Sequence, residues 1–192
     1  MFMHRNCGRH AQAVSRGILT AALITTAAYA ADTSSPFVFV AYSNRAGGEN
    51  LASGAYSSAA QAVHRPQQMG LPDPQALDTN RCVAFAMTRQ LVQARAACDA
   101  AVRDAQSDDT AVLGWNPQTR QQSIASAAVA YSNRAVLHWL DADMSAAEED
   151  LARAQALAPQ ASYVVRNLTA MRAHQTVATQ TTATAQRAGA QE

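Results

Sequence analysis

The stretch NRAVLHWLDADMSAAEEDLARAQ (Asn133–Gln155) decides how this chain folds, because NRCVAFAMTRQLVQARAACDAAV (Asn80–Val102) lies on it without a gap. Both open on Asn-Arg. Alanine falls fourteen residues after the asparagine in each, at Ala94 and Ala147, and again at Ala101 and Ala154. Between them stand Cys98 and Leu151. Apolar residues recur at helical steps through both stretches. Small residues on either side of a larger apolar one are what two helices need to approach closely. Each stretch therefore predicts an antiparallel helix pair, turning near Arg89–Val92 in the first and at Asp141–Asp143 in the second.

The flanking segments divide the rest of the chain. Asp73-Pro74 and Asn116-Pro117 each set a capping side chain before a proline at the first helical position. HRPQQMGLPDP (His64–Pro74) reads as a connector and SDDTAVLGWNP (Ser107–Pro117) as a loop. Pro159 stops the second pair, and SYVVRNLTAMRAH (Ser162–His174) begins another helix. Upstream, ENLASGAYSSAAQAV (Glu49–Val63) predicts a turn at Gly54 and then a helix with Ala59, Ala60 and Val63 on one side. SPFVFVAYS (Ser35–Ser43) carries aromatic and β-branched residues that favour an extended strand. TVATQTTATAQRAGAQE (Thr176–Glu192) has no apolar face and is expected to be a disordered tail. The predicted fold is all-α: a short array of helical hairpins over residues 49–175, two full and one degenerate, preceded by an extended segment over residues 31–48.

One heptapeptide, VAYSNRA, occurs twice, at Val40–Ala46 and Val129–Ala135. The second copy sits in continuing helical periodicity. The first runs into Gly47-Gly48, and glycine costs a helix about 1 kcal/mol relative to alanine. The same letters are therefore expected to adopt two conformations, with packing partners deciding between them.

The first thirty residues hold three arginines and no acid, then an apolar stretch from Gly17, then small residues at Ala28 and Ala30. That order is the pattern of a cleaved secretory signal, with cleavage expected after Ala30. Gly17–Ala31 is too short and too rich in Ala and Thr to span a bilayer, which takes about 20 apolar residues. Export to the bacterial periplasm follows as the expected location, with no stable membrane insertion once the leader is gone. The formal charge of +1 becomes slightly negative after cleavage, and all fifteen basic residues are arginine. Nucleic-acid binding, which shows a basic footprint, is not expected.

YSNRAVLHWLDADMSAAEEDLARAQALAP (Tyr131–Pro159) resembles the tetratricopeptide repeat. It has an aromatic near the start of the first helix (Tyr131), a small residue after Asn-Arg (Ala135), an acidic turn (Asp143), two spaced alanines and a closing proline. The Asn80 unit matches less well, with Cys82 at the small position and Gln106 at the place of the proline. Gly54, Tyr56 and Ala59 fit the turn and second helix of a third, degenerate unit. The resemblance covers Glu49–Ala173, about two thirds of the chain. It implies a concave face lined by first helices and used to bind a protein or peptide. Here that face would include Val83, Ala86, Met87, Val136, Trp139 and Leu140, with Trp139 as anchor. The family's carboxylate-binding grooves depend on lysines and asparagines, and this chain has no lysine, so an acidic C-terminal peptide is not the expected ligand. The strand-like segment or the helix after Pro159 could fill the groove instead, and a homodimer could complete a stack that usually needs three repeats.

Cys82 and Cys98 fall at facing positions of one hairpin, within reach of the about 4.4–6.8 Å Cα separation a disulfide requires. In an exported chain the bond is favoured over two buried thiols. His64, His138 and His174 show no metal-ligand spacing, and no nucleophile or phosphate-loop motif is present. The run Glu148-Glu149-Asp150 reads as a solvated helix face, and Asn167-Leu-Thr169 is a formal glycosylation sequon. The expectation is a non-enzymatic interaction module, scaffold or adaptor, without metal or cofactor; the alternative is a structural or stabilising subunit of an envelope assembly.

Overall fold

A computed structural model of the chain describes residues 27–30, 36–64, 74–111 and 116–189. Among them the protein is mostly helical. Two short strands, β1 (Ala27–Ala30) and β2 (Phe39–Tyr42), precede α1 (Gly48–Ala52), α2 (Tyr56–His64), α3 (Pro74–Met87), α4 (Leu91–Ala111), α5 (Pro117–Leu140), α6 (Met144–Leu157) and α7 (Ser162–Gly189). The all-α expectation holds, with α3/α4 and α5/α6 as the two full hairpins.

Each hairpin turns in the same way. Arg89 and Ala142 adopt left-handed backbone conformations (φ 60° and 62°), and so does Gly54 between α1 and α2 (φ 77°). In all three, the next amide reaches back five residues: Gln90 N–H to the Phe85 carbonyl at 2.8 Å, Asp143 N–H to His138 at 2.9 Å, Ala55 N–H to Asn50 at 2.7 Å. This is the hydrogen-bond signature of a Schellman-type helix end, which satisfies carbonyls the helix leaves open. Five residues beyond each left-handed position stands an alanine with no exposed surface, Ala59, Ala94 or Ala147. Ala101 and Ala154, farther along, are equally buried, with Cys98 and Leu151 between. The helices nest through these small positions, since a larger side chain would hold the backbones apart.

The N-terminus of α5 is built as its sequence predicts. Asn116 Oδ1 accepts from the Thr119 amide at 2.9 Å, and Pro117 occupies the first helical position. Asp143 caps α6 by accepting from Ala146 N–H at 3.2 Å. The two VAYSNRA copies do differ in conformation: the first is strand followed by turn, the second lies wholly in α5. Gly47 and Gly48 enforce the break. Gly47 has φ 74°, and a Cβ at Gly48 would lie 2.0 Å from the Tyr42 carbonyl oxygen.

Three expectations need correction. The tail expected to be disordered is helical as far as Gly189, because between Pro159 and Gly189 no proline or glycine interrupts it. Helix α4 runs on to Ala111, five residues into the expected loop, for the same reason: its first breaker is Gly114. The acid run is not uniformly solvated; Glu148 and Glu149 are exposed, but Asp150 is buried against Arg134. Of the segment expected to be a secretory leader, only Ala27–Ala30 falls among the described residues; the rest of it, residues 65–73 of the expected connector and residues 112–115 lie outside them.

The Asn-Arg pairs divide their work between two neighbours. Arg81 Nε donates to the Val63 carbonyl of α2 at 3.2 Å. Arg134 grips Asp150 of α6 with two hydrogen bonds (Nε–Oδ2 2.7 Å, Nη2–Oδ1 2.9 Å) and reaches Asp99 of α4 at 3.1 Å. Its hydrogen bonds to Asp150 raise its pKa above the ordinary arginine value, so it stays charged. Each arginine thus ties its unit to the one before.

Candidate functional site

The inner face formed by α3, α5 and α7 is occupied by β2 together with the residue just before it, Val38. Val38, Val40 and Tyr42 each present an N–H and a carbonyl to that face, and each pair meets one asparagine side chain. The Val38 N–H donates to Asn167 Oδ1 at 2.8 Å, and Asn167 Nδ2 donates back to the Val38 carbonyl at 2.9 Å. The Val40 N–H donates to Asn133 Oδ1 at 2.8 Å, with Asn133 Nδ2 to the Val40 carbonyl at 2.7 Å. The Tyr42 N–H donates to Asn80 Oδ1 at 2.8 Å, with Asn80 Nδ2 to the Tyr42 carbonyl at 2.9 Å.

A carboxamide carries an acceptor and a donor side by side, as does a residue in an extended chain. Three such groups along three helices therefore read backbone, not side chain. All three asparagines are 1 % exposed or less, so these bonds are made out of water. The Val38 N–H can only donate and its carbonyl only accept, which fixes which way the Asn167 amide points; Asn167 Nδ2 also donates to Ser132 Oγ at 3.0 Å. Asn167 of the formal sequon is accordingly buried, its nitrogen engaged.

Side chains complete the seating. Phe37, Phe39 and Ala41 enter the main apolar core. The Phe37 ring lies 4.4 Å from that of Trp139, and His174 meets the other flank of Trp139 edge-on at 6.0 Å. Among the residues expected to line a groove, Val83, Ala86 and Val136 are fully buried. Met87, Trp139 and Leu140 are half-buried and pack on the same core. The structure brings all six together, around the chain's own strand.

Cys82 and Cys98 are bonded, with sulfurs 2.02 Å apart and Cα atoms 4.7 Å apart, joining α3 to α4 at the back of the groove. His138 lies 3.7 Å from Asp150 and 4.0 Å from Asp143. His64 rests 5.0 Å from the Phe85 ring. Among the described residues no cluster of His, Cys, Asp or Glu could hold a metal ion, and no helix is long and apolar enough to cross a membrane. A cavity of about 260 Å³ between α4, α5 and α6 is lined by Ala105, Ile124, Ala127 and Leu157, with Tyr131 accepting from Gln106 at 2.9 Å.

The asparagines are the functional residues that sequence reading used only as register marks. Their signal is present: Asn is a poor residue for a helix interior, yet Asn80 and Asn133 stand at the same place in both hairpins. No protein-family model, curated protein or solved structure matches the chain.

Proposed function

We propose that the chain is an exported, non-catalytic scaffold built from tetratricopeptide-like hairpins, a structural component of a cell-envelope assembly in the periplasm. The observation that carries this is the peptide-reading inner face already filled by residues of the same chain. A groove adaptor must keep that face open; a structural module seals it and gains stability. The repeat assignment draws support from the three identical turns, each followed five residues on by a buried alanine. It also draws support from the interval of 34 residues between Asn133 and Asn167, which is the tetratricopeptide period. The disulfide suits an oxidising compartment.

The test is capture of partners from the envelope fraction with the wild type and with Trp139→Ala, both checked for folding by circular dichroism. A scaffold that works through its outer surfaces keeps the same partners when Trp139 is truncated. Loss of every partner from a folded Trp139→Ala chain would instead mark the inner face as a binding groove from which β2 is displaced.

A further inference from the structure

Strand β2 has two main-chain edges, and the asparagines hold only one. In an extended chain the N–H and carbonyl of one residue point to the same side and alternate from residue to residue. With Val38, Val40 and Tyr42 turned to the asparagines, the groups of Phe39 and Ala41 face the opposite edge. There β1 lies antiparallel, Ala28 opposite Ala41, Tyr29 opposite Val40 and Ala30 opposite Phe39. Cleavage after Ala30 would remove all of β1.

We propose that in the processed chain the Phe39–Ala41 edge accepts an extended segment of a partner protein, added antiparallel where β1 lies in the precursor. The proposal rests on the export reading. The occupant's chemistry follows from what the edge offers. Phe39 and Ala41 turn their side chains into the main apolar core, so along this edge the groups on offer are main-chain donors and acceptors. Two N–H and carbonyl pairs spaced as in a strand are met by another extended backbone, not by a helix or a charged surface. The asparagines hold β2 in its extended form before anything binds, so the cost of ordering falls on the incoming segment alone. Exposed edges of this kind are known hazards for unwanted pairing, which gives a partner strand a protective role as well.

The experiment uses chain purified from the exported fraction, its N-terminus fixed by mass, with the peptide ITTAAYAA (Ile24–Ala31) as probe. In the free protein the Phe39 and Ala41 amides should exchange with solvent faster than those of Val38, Val40 and Tyr42. Adding the peptide should slow them selectively. Peptides N-methylated at Ala28 or Ala30 lose the ladder bonds and should bind about tenfold more weakly or worse, whereas methylation at Tyr29, whose N–H points away, should be tolerated. Unchanged exchange at Phe39 and Ala41, or equal binding of all three methylated peptides, overturns the proposal. Protection of these amides in a peptide-free dimer overturns it too, by assigning the edge to a second copy. A mass that still includes residues 1–30 sinks the export reading separately; the peptide result, read on a chain beginning at Ala31, then stands or falls by itself.

Discussion

Asn133 holds both main-chain groups of Val40, and the two residues belong to separate copies of one heptapeptide. In VAYSNRA at 129–135 the fifth letter is a helical side chain that reads backbone. At 40–46 the first letter is the backbone that is read. Replacing Asn133 by alanine strands a buried donor and a buried acceptor, each costing about 1–3 kcal/mol. Asn133→Ala should therefore lower unfolding stability by about 2–6 kcal/mol in urea titrations. A change within experimental error would mean that the strand is not seated in solution.

The Cys82–Cys98 bond closes a loop of 16 residues. Chain-entropy reasoning assigns such a loop about 3 kcal/mol. Reduction, or the double variant Cys82→Ala/Cys98→Ala, should shift the urea midpoint down accordingly. Mass spectrometry after alkylation without reductant should find neither cysteine modified.

Arg134 is the one cation bonded to the buried Asp150 carboxylate by two hydrogen bonds among the described residues. Removing it leaves the buried carboxylate without its two charge-assisted hydrogen bonds, with only the His138 ring 3.7 Å away, a loss of about 3–5 kcal/mol. Lysine cannot restore a two-point grip together with the reach to Asp99, so Arg134→Lys should recover only part of it. The pH dependence follows from the sign of the shift. A cation whose folded pKa is raised contributes fully below the ordinary arginine value and loses that contribution only above it. The stability difference between wild type and Arg134→Ala should accordingly not shrink through arginine deprotonation as the pH rises from about 7 to about 10. Paired thermal melts at the two pH values measure it.

Ala147 has no exposed surface where α6 meets its neighbours. Ala147→Leu forces extra methylenes into that contact and should destabilise by about 1–3 kcal/mol or more. Ala152→Leu, on the exposed side of the same helix, should be close to neutral. Equal effects at both sites would mean that α6 does not pack through its small residues.

The helices were legible because their information is local. Periodic apolar positions, Pro117 behind its Asn116 cap and Pro159 as a stop all act within a few residues. The two fates of VAYSNRA were legible too, since Gly47 and Gly48 bar one copy from continuing as helix. The strand in the groove was visible only as one of several fillers, because its bonds reach across 129 residues from Val38 to Asn167. No local pattern encodes a pairing between a strand and three separate helices. Asn80 and Asn133 could be seen to recur, but the meaning of a polar residue on an apolar helix face depends on what arrives opposite it. The tail misled for the converse reason: weak amphipathicity argues against packing, yet an unbroken run of Ala, Thr and Gln can still prolong a helix already begun in α7.

The order of synthesis gives the Val38–Asn167 contact a temporal meaning. The segment that leaves the ribosome early must wait until nearly the last helix has been made before its final bond can form. A chain cut short before α7 would leave the Val38 N–H and carbonyl without Asn167, and so would advertise its own incompleteness to whatever proteases and chaperones patrol for unfinished chains.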